Sequence, residues 1–322
     1  MFVIGLIIAD SRTSNAIVGI QLRESLRKWQ SPPDPSTNHN IASDYQHEGS
    51  AEWFIKDDKF KEWLVTGSLL WIYGKRALLF TCDGFGDLMV NTSPSGVWKE
   101  RPMVRSTYIL LFLGNSWMNS SAIINDITTL CDAGEALMAY FYFDFRDLDK
   151  KARRNLLPSL LMQLSSRSNP FCDVFSRLHK VHDNGERQPN ESALMQCLKE
   201  MLTLPSQRPV YLIMDALDEC PNTSGFPSAR KQVLDLVRDL VGLQLPNLRI
   251  CVTSRPEVDI SDALKSLASH AVSLQDENGQ KKDIADYIRS VVHSGSSTFM
   301  RRWRQEDKEH VIKELSENAD GM

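Results

Sequence analysis

Three carboxylates crowd one short stretch of this chain, Val210-Tyr211-Leu212-Ile213-Met214-Asp215-Ala216-Leu217-Asp218-Glu219. Asp215 follows an apolar run, so its side chain stands where a buried strand emerges. A hard oxygen donor in that place can orient water bound to Mg²⁺ beside nucleotide phosphates. Asp218 and Glu219 follow three and four positions later. A chain that turns after Ala216 brings both into the same cleft, where one of them can polarise an attacking water as a general base.

A second strand candidate, Leu248-Arg249-Ile250-Cys251-Val252, ends in Thr253-Ser254-Arg255-Pro256. The forked guanidinium of Arg255 suits contact with a terminal phosphate, and Thr253 joins the candidate cofactor contacts. Taken singly, a strand ending in Asp describes many solvated turns, and a lone arginine is commonly a surface or ion-pair residue. Two such strand exits in one chain point to a P-loop NTPase core. The expected metal contact is Asp215, through water. The expected catalytic groups are Asp218, Glu219 and Arg255.

Strands and helices must alternate to place these groups. SLLWIY at 68–73 is short and continuously apolar, as suits a strand buried on both faces. Further strands are expected at 136–145, 209–220, 247–257 and 270–274. Helices are expected at 16–30, with Leu22, Leu26 and Trp29 on the buried side, and at 52–65, 121–131, 150–167, 192–202, 228–243, 281–292 and 306–318. Ser120 or Ser121 is the expected cap of the 121–131 helix. SPPDPSTNHN at 31–40 reads as a linker, because its prolines and small polar residues oppose regular structure. Apolar strands separated by helices imply a mostly parallel sheet with helices on both faces, a three-layer α/β/α arrangement. Ligands gather beyond the carboxyl ends of such strands.

A phosphate loop, G-x-x-x-x-G-K-[ST], belongs between the strand at 68–73 and the helix at 121–131. Its amides cradle phosphate, its lysine meets the β and γ phosphates, and its hydroxyl binds Mg²⁺. Gly74 and Lys75 match the start of such a loop, but Lys75 comes too early to be its lysine, and G-K-S or G-K-T occurs nowhere. Residues 76–120 carry no sustained period. They are either a true insertion in a degenerate protein or translated intron from a faulty gene boundary. The second reading is preferred, because of the family resemblance given below, which the flanks keep almost to the junctions and the middle lacks.

Composition excludes several classes. With 37 basic and 41 acidic side chains the net charge is −4, which does not suggest a nucleic-acid binder. The six cysteines, at 82, 131, 172, 197, 220 and 251, form no metal knuckle or C-x-x-C pair and read as buried thiols in a reducing compartment. The apolar start MFVIGLIIAD has no preceding basic residue and is interrupted by Asp10, unlike a signal peptide. TYILLFL at 107–113 falls short of the about 20 residues a membrane span needs. A cytoplasmic protein is expected, with no membrane or nucleic-acid partner. The aromatic run Tyr140-Phe141-Tyr142-Phe143 reads as core packing rather than a base-stacking platform. Lys150, Lys151, Arg153 and Arg154 read as an exposed helix face and Arg146 and Asp147 as a solvated turn, while His47 is not backed as a base or ribose contact. No G-x-S-x-G elbow supports an unrelated hydrolase.

From about residue 25 to its end, the chain resembles the NACHT-type NTPase module of fungal NOD-like receptors, in the nephrocystin 3-like N-terminal class. The likeness rests on the lead-in at 31–75, SAIINDI at 121–127, AYFYFDFRD at 139–147, SLLMQLSSRS at 159–168, VYLIMDALDEC at 210–220 and LRICVTSRPE at 248–257. It implies a signal-transducing NTPase of the STAND class that binds ATP or GTP with Mg²⁺. Such proteins self-associate through the NTPase, effector and repeat domains of a full-length receptor, and in fungi they are tied to heterokaryon incompatibility. By that pattern Asp215 is the Walker B aspartate, Asp218 and Glu219 the distal acidic pair, and Arg255 the sensor arginine. The expected domains are a helix and linker at 1–50, the NTPase at 51–295 with the aberrant insert at 76–120, and from 296 the start of a helical region cut short at ADGM. Without the phosphate-loop lysine and hydroxyl, the switch is expected to be impaired. The alternative is a catalytically dead pseudo-NTPase that serves as a protein-interaction scaffold.

Overall fold

A computed structural model describes residues 19–44, 51–74, 115–145, 147, 150, 153–205, 208–222, 227–274, 278–293 and 303–318. Lys75, His47, Arg146 and most of the 76–120 stretch lie outside these residues. The chain divides into two compact units, one of residues 1–74 and 116–274, the other of 75–115 and 275–322. In the second unit, α11 (Asn278–His293) and α12 (Gln305–Asn318) pack together.

The first unit is built on five strands: β1 (Leu69–Tyr73), β2 (Leu137–Tyr142), β3 (Val210–Asp215), β4 (Leu248–Ser254) and β5 (His270–Ser273). Their order across the sheet is β2-β3-β4-β1-β5, and every pair is parallel. β1 therefore lies between β4 and β5, although the chain leaves it for the far edge of the sheet. This reversal of winding is the kind of place where open α/β sheets form a crevice.

Strand side chains alternate between two apolar layers. Leu69, Trp71, Phe141, Leu212 and Val252 face one core together with α1 (helical residues 19–30), α6 (Arg153–Arg167), α7 (Asn169–Val181), α8 (Glu191–Thr203), α9 (Ala229–Gly242) and α10 (Val258–Leu264). Leu70, Ile72, Met138, Ile213 and Cys251 face the other, with α3 (Glu52–Ile55), α4 (Asp58–Val65) and α5 (Asn115–Asp132). The expected three-layer arrangement is what the first unit shows. Leu26 and Trp29 are buried as expected. The Trp29 indole N–H donates to the carbonyl of Arg187 at 2.9 Å.

Several expectations give way. The 31–40 linker becomes helix α2 (Ser36–Asp44) from its sixth residue. The Asp34 carboxylate accepts from both the backbone N–H (2.9 Å) and the hydroxyl (2.7 Å) of Ser36, so the prolines precede a start signal rather than prolong a coil. The 52–65 helix is two short ones, because the Asp57 carboxylate accepts from the Lys59 N–H at 2.8 Å and starts α4 afresh. α5 begins at Asn115, six residues before its expected start, so Ser120 and Ser121 lie inside the helix, buried, rather than at its cap. α7 and α10 add to the expected helices. At the edge of β2, the Gln163 side chain accepts from the Tyr140 N–H at 3.0 Å and donates to the Tyr140 carbonyl at 2.7 Å.

Candidate functional site

Asp215 closes β3 and is fully buried. Its Oδ1 accepts from the Thr253 hydroxyl at 2.5 Å and from the Ser120 hydroxyl of α5. Thr253 in turn accepts the Ala216 N–H at 3.0 Å. The first unit thus ties β3, β4 and α5 together at the carboxyl end of the sheet through one carboxylate oxygen. Asp215 and Thr253, each expected among the cofactor contacts, meet directly. Ser120, expected only as a helix cap, joins them. Its spacing from the apolar face of α5 carries no mark of this contact.

Past β3 the chain makes a tight corner. Ala216 adopts a left-handed conformation at φ 55° and ψ 45°, a region that costs energy for a residue with a Cβ. It leads into a single 3₁₀ turn, Leu217–Glu219. The corner sends the two acids to different partners. Asp218, with a side chain only 7% exposed, accepts from the Arg255 backbone N–H at 2.9 Å and from its Nε at 2.5 Å. Glu219 accepts from the Phe145 N–H at 3.1 Å. Burial, aided by the negative charges of Asp218, Asp144 and Asp215, pushes the Glu219 carboxyl up to about 7, against the pull of the Phe145 hydrogen bond. A carboxyl that titrates near neutrality is suited to exchange a proton. Asp218 is held by the arginine that sequence placed beside it as a separate sensor.

The Glu219 shift has a definite sign. Below about pH 4.5 the group is protonated in folded and unfolded chains alike. As pH rises toward 7, the unfolded chain ionises first, so the stability this carboxyl contributes falls and stays reduced above 7. Glu219→Gln is expected to be more stable than the parent by about 1–2 kcal/mol at pH 8, after discounting for partial exposure, and to lose that advantage at pH 4. Urea unfolding of both proteins at the two pH values measures it. An equal difference at both would refute the shift.

Gly74 follows β1, and its N–H donates to the Ser254 carbonyl at 3.4 Å. A Cβ there would lie 3.2 Å from that of Leu274. Beside it, the Trp71 indole donates to the Ser254 hydroxyl at 2.9 Å. Phe141 and Phe143 enter one core and Tyr142 the other, as the packing reading expects. Lys150 departs from the exposed face expected of it. It is 6% exposed, and its ammonium donates to Asn38 Oδ1 of α2 at 2.6 Å, because the unforeseen α2 supplies a buried acceptor. Cys172, Cys197, Cys220 and Cys251 are buried thiols, and burial raises each of their pKa values.

Residues 113–255 match the family model described as Nephrocystin 3, N-terminal. That stretch is less than half of the chain. It begins two residues before α5 and ends at Arg255, so it takes in both strand exits and leaves out the lead-in at 31–75. No curated protein matches the chain. Among solved structures, a chain in the structure of Drosophila ORC bound to AT-rich DNA and Cdc6 aligns with a TM-score of 0.33 and 10% identity, over 93% of this chain and 42% of that one. Chains aligned at such a score need not share a fold. The present chain spans well under half the length of that one.

The residues present fit a magnesium nucleotide only in part. Asp215 and Glu219 are hard oxygen donors at the carboxyl end of the sheet, suited to water-bridged contact with Mg²⁺. Among the described residues no group of three or more His, Cys, Asp or Glu side chains can hold a metal ion unaided. The phosphate half of such a site has no counterpart in the sequence, so the acidic half alone does not define a hydrolytic step.

Sequence reasoning missed Arg230, in the first turn of α9. Its guanidinium is buried and engaged in several directions at once. Nε donates to the Cys220 carbonyl at 2.9 Å and Nη2 to the Asp218 carbonyl at 2.6 Å. Nη1 pairs with Glu257 and lies 3.4 Å from Asp259. An arginine next to Lys231 at a helix start reads as surface charge, and nothing in its spacing says otherwise.

Proposed function

We propose that this chain is the nucleotide-switch core of a P-loop NTPase whose acidic half is intact and whose phosphate-binding half is missing from the sequence as it stands. The observation that carries the reading is the convergence of Asp215, Asp218, Glu219, Thr253 and Arg255 at the carboxyl ends of adjacent parallel strands, one strand away from β1. The nephrocystin 3 match over these strand exits supports a signalling role of the NACHT and STAND kind, with ATP or GTP and Mg²⁺ as ligands. We further propose a cytoplasmic receptor that self-associates, as the resemblance to receptor NTPases implies. The same match starts only at residue 113, two residues before α5 and after most of the unpatterned stretch, which supports a damaged gene boundary between Gly74 and α5.

Charge-assisted hydrogen bonds contribute about 1.5–3 kcal/mol each. Losing the phosphate-loop lysine and hydroxyl together therefore weakens nucleotide binding by at least ~100-fold. The test is sequencing of the transcript across codons 70–125, followed by titration of fluorescent Mg·ATP and Mg·GTP into this chain and into the transcript's product. The expected result is a transcript that restores G-x-x-x-x-G-K-[ST] and a product that binds at least ~100-fold tighter. A restored loop that binds neither nucleotide would overturn the reading. A transcript that retains residues 76–120 would favour the scaffold alternative, which the engagement of Asp218 by Arg255 also suits.

A further inference from the structure

We infer that Arg230 is a positioning residue that locks the acidic turn after β3 to the exit of β4, so that Asp218 and Arg255 meet only while Arg230 ties that turn to Glu257 and Asp259. The guanidinium is planar, with donors fixed in direction. One set of donors closes on the carbonyls of Asp218 and Cys220, which bracket Glu219. The remaining donor reaches Glu257 and Asp259, the residues that lead from β4 into α10. Asp259 is held in addition by Asn222, whose amide donates to it at 2.9 Å, and Asn222 accepts from the Ser228 hydroxyl, also at 2.9 Å. The turn therefore cannot shift against the β4 exit without breaking contacts to one buried cation.

This arrangement differs from simple packing in a testable way. A lysine can keep the charge, but it cannot satisfy two carbonyls and two carboxylates from one plane. The geometry predicts that the Asp218–Arg255 interaction weakens when Arg230 is changed, even in a folded protein. The lock itself stands on the contacts alone. Its value for a nucleotide response rests on the reading proposed above.

The experiment is a double-mutant cycle between Asp218→Asn and Arg255→Gln, read by urea unfolding, in the parent and in Arg230→Lys and Arg230→Met backgrounds. The expected coupling is roughly fivefold in the unfolding equilibrium constant in the parent and below about twofold in both variants. Equal coupling in all three backgrounds would overturn the inference. Should Arg230→Met fail to fold, exchange of the Arg255 backbone amide, which donates to Asp218, is read in Arg230→Lys against the amide of Leu212. At least ~tenfold faster relative exchange is expected, and an unchanged ratio refutes the lock. Neither readout involves nucleotide, so failure of the proposed function and failure of this inference remain distinguishable.

Discussion

Replacing Trp63 with alanine is expected to lower the unfolding free energy by about 3–5 kcal/mol, the range for removing a large buried aromatic. Trp63 is fully buried between α4 and the sheet. Its ring centroid lies 5.7 Å from both Phe60 and Tyr211, and its indole N–H donates to the Ile250 carbonyl at 3.1 Å. Gly67 closes the site from the other side, since a Cβ there would stand 2.6 Å from Trp63 Cδ1. The walls are strand, helix and a glycine already at contact, so the void cannot collapse easily. Trp63→Phe keeps most of the volume but loses the hydrogen bond, and about 1–2 kcal/mol is expected. Chemical denaturation measures both. A loss below ~1 kcal/mol for the alanine variant would mean that α4 is not seated as described.

The second large effect falls at Asp215. Asp215→Ala is expected to cost about 3 kcal/mol, because the buried hydroxyls of Ser120 and Thr253 both converge on Oδ1 and both lose that acceptor. An asparagine retains an oxygen in that position, so Asp215→Asn should cost less than half as much. Equal losses would show that the negative charge, rather than the acceptor geometry, holds the three elements together. In a chain with a restored phosphate loop the ranking separates the two roles of this residue. Asp215→Asn should then fold well and yet lose its dependence on Mg²⁺.

The extent to which this molecule could be foreseen follows from which signals are local. Asp215 was legible because five apolar residues precede it and a buried strand has to end somewhere. The sheet was legible for a related reason, since LLWIY, VYLIM and ICV are short, largely apolar runs that end in polar residues, as strands covered on both faces do. α2 was not legible, because its start depends on a single acceptor, Asp34, competing with three nearby prolines. The early start of α5 was hidden by an unpatterned stretch whose end composition does not mark. The different fates of Asp218 and Glu219 depend on the left-handed corner at Ala216, which spacing alone does not reveal. Lys150 and Arg230 failed for a common reason. Both are cations buried by partners distant in sequence, and a local reading assigns such residues to the surface.

The Gln163 side chain has a wider consequence. An edge strand with bare amides and carbonyls is a template on which a second chain can add a strand. Here the carboxamide of α6 imitates such a strand at Tyr140, occupying both its donor and its acceptor. Growth of the sheet past β2 is blocked at the middle of that strand. Gln163→Ala would bare both groups of Tyr140 and reopen the middle of that strand to pairing.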